Sequence, residues 1–357
     1  MSKFFIEDRP ISNEDEVYFI ADIAANHDGD IERAKDLIYS CAEAGADAAK
    51  FQHFKAETIV SDKGFKDLGK QLSHQSKWNK TVFEVYQDAS LNNDWNQTLK
   101  ETCKKAGINF FTSPYSYELV DKVDQFVSAY KIGSGDITWI DLISYISQKN
   151  KPVIIATGAS SMQEVDLAMK SILKYNKNVV LMQCNTNYTA SIKNFKYINL
   201  NVLKTYKKAY PEVILGLSDH TQGHSTVLGS VALGAKVIEK HYTDNNNRTG
   251  PDHKFSMNPN SWREMVDRTR ELELALGLDK KIVEDNESET AILQRRCIRA
   301  SKNIKKGSLI TINDIEFLRP CPENGLPPYE SSKIIDRVLK KDLIKGDLIQ
   351  WKDLKQL

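Results

Sequence analysis

The chain contains 357 residues, of which 41% are hydrophobic, a size that favours one large globular domain with an appendage over a single small core. Its 49 basic residues (Lys and Arg) almost balance its 48 acidic residues (Asp and Glu), so nothing points to nucleic acid or an anionic membrane as a partner. No apolar run reaches the roughly 18 residues that a membrane-spanning helix needs.

The cysteines and the first residues bear on location. Five cysteines occur, and none forms a C-x-x-C pair: Cys41, Cys103, Cys184, Cys297 and Cys321. We interpret them as the reduced thiols of a cytosolic protein. The opening sequence MSKFFIEDRP has no apolar signal core. We therefore expect a cytoplasmic protein without a membrane partner.

Short apolar runs recur along most of the chain and predict buried strands, because most of them are continuous rather than alternating. In chain order they are Tyr18–Ala25, Ala46–Phe51, Asn109–Thr112, Ala129–Ile132, Val153–Ala156, Val179–Gln183, Ile214–Leu217 and Lys236–Glu239.

Helical patterns fill the gaps between these runs. Ile31, Leu37 and Cys41 fall on one helical face that ends at Gly45, and similar faces precede Gly107 and Gly234. Alternating strands and helices over roughly 260 residues predict an α/β fold, a (β/α)8 TIM barrel. A doubly wound open sheet is the rival, but no G-x-G-x-x-G follows the first strand.

After the barrel the composition changes. Residues 277–289, GLDKKIVEDNESE, form a charged stretch, and beyond it ASKNIKKGSLITINDI aligns without gaps with LKKDLIKGDLIQWKDL. The repeat predicts a small β-rich domain with pseudo-twofold symmetry. We expect a catalytic barrel over residues 1–280, a linker over 281–296 and the small domain over 297–357.

Polar side chains follow every predicted strand, where parallel strands would carry them to one rim of the barrel. Singly, each has an ordinary explanation as a turn or capping residue. Together they are costly to desolvate unless they bind something. The residues include Asp22, Lys50, Gln52, Ser113, Lys131, Ser134, Asp136, Thr186, Tyr188, Ser218, His220 and His241.

Two pairs among these residues suggest chemistry. Lys50 and Lys131 with nearby hydroxyls suit a phosphate or carboxylate, although a Schiff-base aldolase stays open as an alternative. His220 and His241, without a third protein ligand, suit a catalytic divalent ion such as manganese rather than structural zinc. An anion site beside an open metal suggests a carbonyl polarised next to a phosphorylated co-substrate.

The motifs along the chain resemble those of the N-acetylneuraminate (sialic acid) synthase family. They are ADIAANHDGD, AAKFQHF, FFTSP, YKIGSGD, IIATG, GLSDH, VIEKH and RTGPDHKFSMNP. The repeat region with EFLRP resembles that family's C-terminal antifreeze-like (SAF) domain. The resemblance implies a transferase of nonulosonic acid biosynthesis, which joins phosphoenolpyruvate to an open-chain N-acetylated amino sugar and releases phosphate.

The resemblance also implies roles for individual residues. His220 and His241 would hold the divalent ion, with manganese expected first and magnesium or cobalt as substitutes. Arg319 would reach the partner's barrel in a homodimer. The expected catalytic residues are Asp22, Lys50, Lys131 and both histidines; Lys50, Ser113, Lys131, Ser134 and Ser218 would bind phosphoenolpyruvate, and Gln52, Asp136, Thr186, Tyr188 and Asp252 would meet the sugar.

Three positions depart from the family pattern. Asp22 replaces the usual Glu, which shortens the side chain by one methylene. Thr186, in CNTNYT, stands at the usual Asn position, and Ala156 replaces a Ser that would donate a hydrogen bond to the anion. The last two changes lie where substrates are contacted, so we expect that the sugar need not be N-acetylmannosamine.

We therefore expect a metal-dependent synthase that acts on N-acetylmannosamine or a related acetamido or diacetamido hexose. Two alternatives remain. One is another condensation of phosphoenolpyruvate with an aldose, of the 3-deoxy-octulosonate type. The other is a sugar-binding or ice-binding protein without catalysis.

Overall fold

A computed structural model describes residues 3–70 and 73–355 of the chain. It contains two compact units, one ending at Gly277 and the other beginning at Leu278.

The first unit opens with a hairpin that the sequence analysis did not predict. Strands β1 (Lys3–Ile6) and β2 (Arg9–Ser12) pair antiparallel. Phe4, Ile6 and Ile11 are buried in the main core. Beside it, Asn109 donates to Glu7 at 2.9 Å and accepts from the Tyr18 hydroxyl at 2.6 Å. Because Asn109 begins a barrel strand, the hairpin covers the N-terminal end of the barrel.

Eight parallel strands follow and close into a barrel, which confirms the predicted TIM-barrel architecture. Each predicted strand is present, and the first pairs with the last. The strands are β3 (Tyr18–Asp22), β4 (Ala48–His53), β5 (Asn109–Pro114), β6 (Tyr130–Ile132), β7 (Val153–Ala156), β8 (Val179–Cys184), β9 (Ile214–Asp219) and β10 (Ala235–His241).

The helices mostly lie between these strands. They are α1 (Ile31–Glu43), α2 (Ala56–Ile59), α3 (Asp62–Asp67), α4 (Val82–Ala89), α5 (Asn96–Ala106), α6 (Tyr117–Asp124), α7 (Ile140–Ser147), α8 (Met162–Leu173), α9 (Val202–Ala209), α10 (Ser225–Ala232) and α11 (Pro259–Leu276) in the first unit, and α12 (Ser288–Gln294) and α13 (Ser331–Ile334) in the second.

Short 3-10 helices complete the connections. They are Ser73–Lys77, Asn93–Trp95, Ser134–Asp136, Ile192–Tyr197, Asp285–Glu287, Ile312–Asp314, Pro328–Glu330 and Trp351–Asp353.

Local sequence explains where the helices begin and end. Asp30 caps α1 by accepting hydrogen bonds from the Glu32 and Arg33 amides. Gly107 ends α5 in the left-handed conformation (φ 74°), which a residue with a Cβ rarely adopts. The end of α5 at Gly107 is the one that the glycine pattern predicts.

The register of the strands sets the rim of the barrel. Asp22 lies beside Lys50 on one side and beside His241 on the other. Ser218 lies beside Glu239. The polar residues that end separate runs in the sequence therefore share one level at the C-terminal ends of the strands.

The second unit shows the internal repeat as a structural symmetry. Strands β11 (Cys297–Ala300) and β12 (Ile315–Leu318) pair antiparallel. The repeated positions Ile304 and Leu343 exchange backbone hydrogen bonds, each 2.9 Å long. Lys302 pairs with Asp314 at 2.7 Å, and Lys341 and Asp353, which align with them, pair at 2.9 Å.

Candidate active site

A cavity of about 430 Å³ lies at the C-terminal ends of the barrel strands. Twelve of the fourteen site residues expected from the sequence line it: Asp22, Lys50, Gln52, Ser113, Lys131, Ser134, Asp136, Tyr188, Ser218, His220, His241 and Asp252. Ala156, the position where the family has Ser, also lines the cavity.

The other two expected residues are Thr186 and Arg319. The Thr186 methyl group lies against Gly158, so close that a Cβ on that glycine would be 2.6 Å from it. Arg319 follows β12 in the second unit, where it is exposed and joined to Pro320 by a cis peptide. Substrate contact by either residue stays a prediction.

One side of the cavity floor is built around Asp22. Its carboxylate accepts hydrogen bonds from the Lys50 ammonium at 2.6 Å and the Gln52 amide at 3.0 Å. Burial would raise the pKa of Asp22, but the charge of Lys50 lowers it below its ordinary value of 3.8. Burial would likewise lower the pKa of Lys50, but Asp22 and Glu239 raise it above 10.5. Both groups therefore stay charged at neutral pH.

The other side of the floor contains the second lysine. The Lys131 ammonium lies 3.1 Å from one carboxylate oxygen of Glu239, and that oxygen also accepts a hydrogen bond from Ser218 at 3.2 Å. The hydroxyl of Ser113 is buried and has no hydrogen-bond partner within the described part of the chain. Two buried ammonium groups with an unpaired hydroxyl donor suit an anionic ligand.

The two imidazoles lie beside each other at the cavity wall, with ring centroids 5.4 Å apart. His220 donates from Nδ1 to the Asn185 carbonyl at 3.0 Å. Burial would lower the pKa of His220, but Cys184 and the Asn185 carbonyl raise it above its ordinary value of 6.5. Burial lowers the pKa of His241 to about 3, so this ring is neutral at physiological pH. Tyr188 and Phe255 pack edge-on against the pair.

The donor set fits a divalent ion with two protein ligands. Nδ1 of His241 is buried, and no described residue hydrogen-bonds to it. Carboxylates of Asp22 and Asp252 lie 3.5 Å and 4.0 Å from that ring. Over residues 3–70 and 73–355, no group of three or more His, Cys, Asp or Glu side chains is arranged as a metal site. The unpartnered Nδ1 of His241 beside the His220 ring is a nitrogen donor set that a divalent ion could use.

Two further carboxyl groups face the cavity. Burial raises the pKa of Asp136 to about 6. Burial raises the pKa of Asp252 to about 6 as well, against the backbone hydrogen bond that it accepts from Ala25. Carboxylates that lack a cationic partner are suitable acceptors for hydroxyl groups of a ligand.

The loop that carries Asp252 is tied to the loop after β3. His253 places Nε2 2.9 Å from Asp28 and Nδ1 2.7 Å from Thr243. Arg248 donates to the same aspartate at 2.9 Å. These contacts hold the last barrel loop over the first one, beside the cavity.

The middle residues of SDH and EKH point away from the cavity, because side chains alternate along a strand. Asp219 and Lys240 form an ion pair 2.5 Å long in which both side chains are 1% exposed. Hydroxyls of Thr221 and Thr226 donate to the same carboxylate, each at 2.8 Å. This pair supports the strands that carry His220 and His241.

One wall of the cavity is not among the features expected from the sequence. The long connection between β4 and β5 supplies it, with mostly apolar side chains: Phe54, Ile59, His74, Trp78, Val85, Tyr86 and Ala89. The length of that connection and its aromatic content were the available signals, since long loops in compact domains are often functional. Glu239 was also missed as a site residue.

Comparison with known proteins identifies the chain. The family model described as NeuB family matches residues 37–281, and the SAF domain model matches residues 295–355. The chain belongs to the NeuB family.

Individual members of the NeuB family are similar over nearly their whole length. N,N'-diacetyllegionaminic acid synthase of Legionella pneumophila is 33% identical, with 94% of each chain covered. Pseudaminic acid synthase of Campylobacter jejuni is 31% identical, covering 94% of this chain and 96% of the relative. The crystal structure of a sialic acid synthetase from Leptospira borgpetersenii superposes with a TM-score of 0.71 and 27% identity, over 81% of this chain and 95% of that one.

These matches confirm the resemblance to the N-acetylneuraminate synthase family and the barrel-plus-SAF architecture. They also confirm that this NeuB family member is a synthase-like transferase that forms carbon–carbon bonds. Within the described ranges, no helix is both long enough and apolar enough to cross a membrane.

Proposed function

We propose that this NeuB family member condenses phosphoenolpyruvate with an open-chain N-acetylated amino sugar. The enol carbon of phosphoenolpyruvate forms a bond to the sugar aldehyde carbon, water adds to the carbon that bears the phosphate, and inorganic phosphate leaves. The product is a nonulosonic acid. Its carboxylate and its keto group come from phosphoenolpyruvate.

The observation that carries the proposal is the pair of buried ammonium groups beside two imidazoles. Lys50 and Lys131 provide two positive charges in a desolvated cavity, and Ser113 adds an unpaired donor. Phosphoenolpyruvate has a phosphate and a carboxylate close together, so two separated cations match it better than one. Ser134 and Ser218 are the further hydroxyls assigned to this substrate.

His220 and His241 would hold the divalent ion, and manganese is the ion that we propose. When bound, it would polarise the sugar aldehyde as a Lewis acid. Calorimetric titration with Mn²⁺ should show binding to the wild-type protein and none to the His220→Ala, His241→Ala double variant. Binding that survives in the double variant would refute this assignment.

The sugar would meet Gln52, Asp136, Tyr188 and Asp252. Asp22 keeps Lys50 and Gln52 oriented, since it accepts a hydrogen bond from each. The apolar wall from the β4–β5 connection favours a sugar with methyl or acetamido groups over one with hydroxyls alone. The relatives named for diacetyllegionaminic and pseudaminic acids support a diacetamido hexose as the acceptor.

We also propose that the chain works as a cytoplasmic homodimer. In this arrangement the SAF domain of one protomer docks on the partner's barrel, and Arg319 contacts the partner's sugar. A domain of this size built from short repeats buries little core of its own, which favours docking on a larger surface. The absence of any C-x-x-C pair supports a reducing compartment.

Phosphate release tests the function directly. The purified protein is incubated with Mn²⁺, phosphoenolpyruvate and one sugar from a panel: N-acetylmannosamine, its 6-phosphate, diacetamido hexoses and phosphorylated aldoses. We expect one phosphate per nonulosonic acid formed, detected by mass spectrometry, and the fastest rate with a diacetamido hexose.

The control is Glu273→Gln, a change on α11 where the carboxylate pairs with Arg270. It should leave the sugar preference unchanged. A phosphorylated aldose as the preferred substrate would favour the 3-deoxy-octulosonate alternative. Sugar binding without phosphate release from any mixture would favour the non-catalytic alternative.

A further inference from the structure

The carboxylate of Glu239 occupies the same cavity floor as the two lysines. One of its oxygens lies 3.1 Å from the Lys131 ammonium, and the other lies 4.0 Å from the Lys50 ammonium. The side chains of these three residues are 6%, 3% and 2% exposed. Glu239 therefore bridges the two cations across the place assigned to the anionic substrate.

The bridge is incomplete on one side. The oxygen that faces Lys50 is buried and has no hydrogen-bond partner among residues 3–70 and 73–355. Lys50 has a closer partner in Asp22, at 2.6 Å. Lys131 depends on Glu239, which is the acidic residue paired with it in the described part of the chain. Glu239 thus pairs closely with Lys131 and only distantly with Lys50.

A negative charge at this position conflicts with the binding of an anion. Like charges in a poorly screened cavity repel strongly, so a carboxylate between the lysines weakens the hold on any phosphate placed there. The same carboxylate keeps two buried ammonium groups compensated when the cavity contains no ligand. Both effects follow from one position.

We propose that Glu239 is a positioning residue that acts as an internal counter-anion. In the free enzyme it pairs with Lys131 and orients both lysines. Phosphoenolpyruvate replaces Glu239 as the partner of Lys131 when it binds, and the Glu239–Lys131 ion pair forms again as inorganic phosphate leaves. Glu239 thereby limits phosphate affinity and favours product release. This inference rests on the proposed function, because it takes the lysines as the anion site.

A purely structural role predicts the opposite result for anion binding. If Glu239 only held the lysines in place, its loss would scatter them and weaken every anionic ligand. If it competes with the ligand, its neutralisation tightens phosphate. The isosteric variant Glu239→Gln separates the two, because it retains the shape and the acceptor for Ser218 while removing the charge.

The experiment measures inorganic phosphate and phosphoenolpyruvate binding by calorimetry, without sugar, and phosphate inhibition during turnover. We expect Glu239→Gln to bind phosphate roughly tenfold more tightly than wild type, with a lower kcat and an unchanged KM for the sugar. The control Glu273→Gln, also a partly buried carboxylate near basic groups, should bind phosphate as wild type does.

A second variant and a measurement of melting temperature give further tests, including one for the case that Glu239→Gln is unstable. In a Lys131→Met background Glu239 has no ammonium of Lys131 to release, so Glu239→Gln should tighten phosphate binding less than it does in the wild-type background. If Glu239→Gln alone is unstable, phosphate should raise its melting temperature more than that of wild type. A smaller rise would overturn the inference, as would equal tightening of phosphate binding with and without Lys131.

Binding data distinguish failure of the proposed function from failure of the role of Glu239. A wild-type protein that binds neither phosphoenolpyruvate nor phosphate would refute the proposed function. A wild-type protein that binds both, with equal or weaker phosphate binding in Glu239→Gln, would refute the role of Glu239 alone.

Discussion

Replacing Asp219 by Asn should destabilise the barrel far more than it changes the cavity. The Asp219–Lys240 pair is almost fully buried, and the Lys240 ammonium also donates to the Thr221 carbonyl at 2.6 Å. The Asn variant keeps an acceptor for the threonine hydroxyls but leaves Lys240 without its counter-charge. Breaking a buried ion pair from one side costs about 3–5 kcal/mol.

A double variant tests whether the cost of Asp219→Asn comes from the unpaired charge of Lys240. Lys240→Met combined with Asp219→Asn removes both charges, and the methionine fills a similar volume. Replacing both members of a buried pair is often close to neutral. The double variant should therefore cost about 1–2 kcal/mol, well below the sum of the single changes.

Low pH should remove the stabilisation that the Asp219–Lys240 ion pair provides. Burial would raise the pKa of Asp219, but Lys240 and the threonine hydroxyls lower it below its ordinary value of 3.8. A lowered pKa in the folded state contributes stability above pH 3.8 that is lost as the pH falls through the folded value. The difference in the free energy of unfolding between wild type and Asp219→Asn should therefore become smaller below about pH 4.

Chemical unfolding followed by circular dichroism measures these differences at pH 7 and through the acid range. Two results would refute the reasoning: a single variant that costs less than about 1 kcal/mol, or a double variant that costs the full sum. Either result would mean that Lys240 is solvated or repaired by other groups.

Three further predictions concern the cavity and the assembly. Burial raises the pKa of Asp136 to about 6, so its contribution to the free energy of unfolding is present below pH 3.8 and lost above pH 6. Asp136→Asn should therefore stabilise the protein at pH 7, by at most about 3 kcal/mol, and raise its melting temperature. A melting temperature equal to or below that of wild type would contradict this. Lys50→Met or Lys131→Met should weaken phosphoenolpyruvate binding by about 2 kcal/mol or more, and borohydride should trap no substrate on either lysine; a trapped adduct would favour an aldolase. Mixing Arg319→Ala with His241→Ala chains should restore about half of wild-type activity per mixed dimer, and no recovery after demonstrated subunit exchange would exclude the trans arrangement.

The barrel could be predicted from sequence because its strands are buried on both faces. Continuous apolar runs such as Val153–Ala156 have few other uses, and each ended on a polar residue at the rim. The N-terminal hairpin could not be predicted in the same way. Its strands have four residues each, and Pro10 lies within the second. Such short runs give too little periodicity to separate a strand from a turn.

The sequence predicts which residue types form the site better than it predicts which side chains point into the cavity. SDH and EKH were treated as polar clusters, yet alternation sends Ser218, His220, Glu239 and His241 inward and their middle residues outward. Applying that alternation would have identified Glu239 from the sequence. The apolar wall was beyond reach, because no local pattern states which face of a long connection folds over a cavity.

Closure of the barrel between its first and last strands has a consequence during synthesis. β3 cannot pair with β10 until His241 has left the ribosome. At roughly 5–20 residues per second, that wait lasts on the order of 10–50 s. Throughout it, the edge of β3 is an open template for other strands. The nascent chain is therefore most exposed to aggregation before its last barrel strand emerges, so we expect chaperones to matter for its yield more than for its final stability.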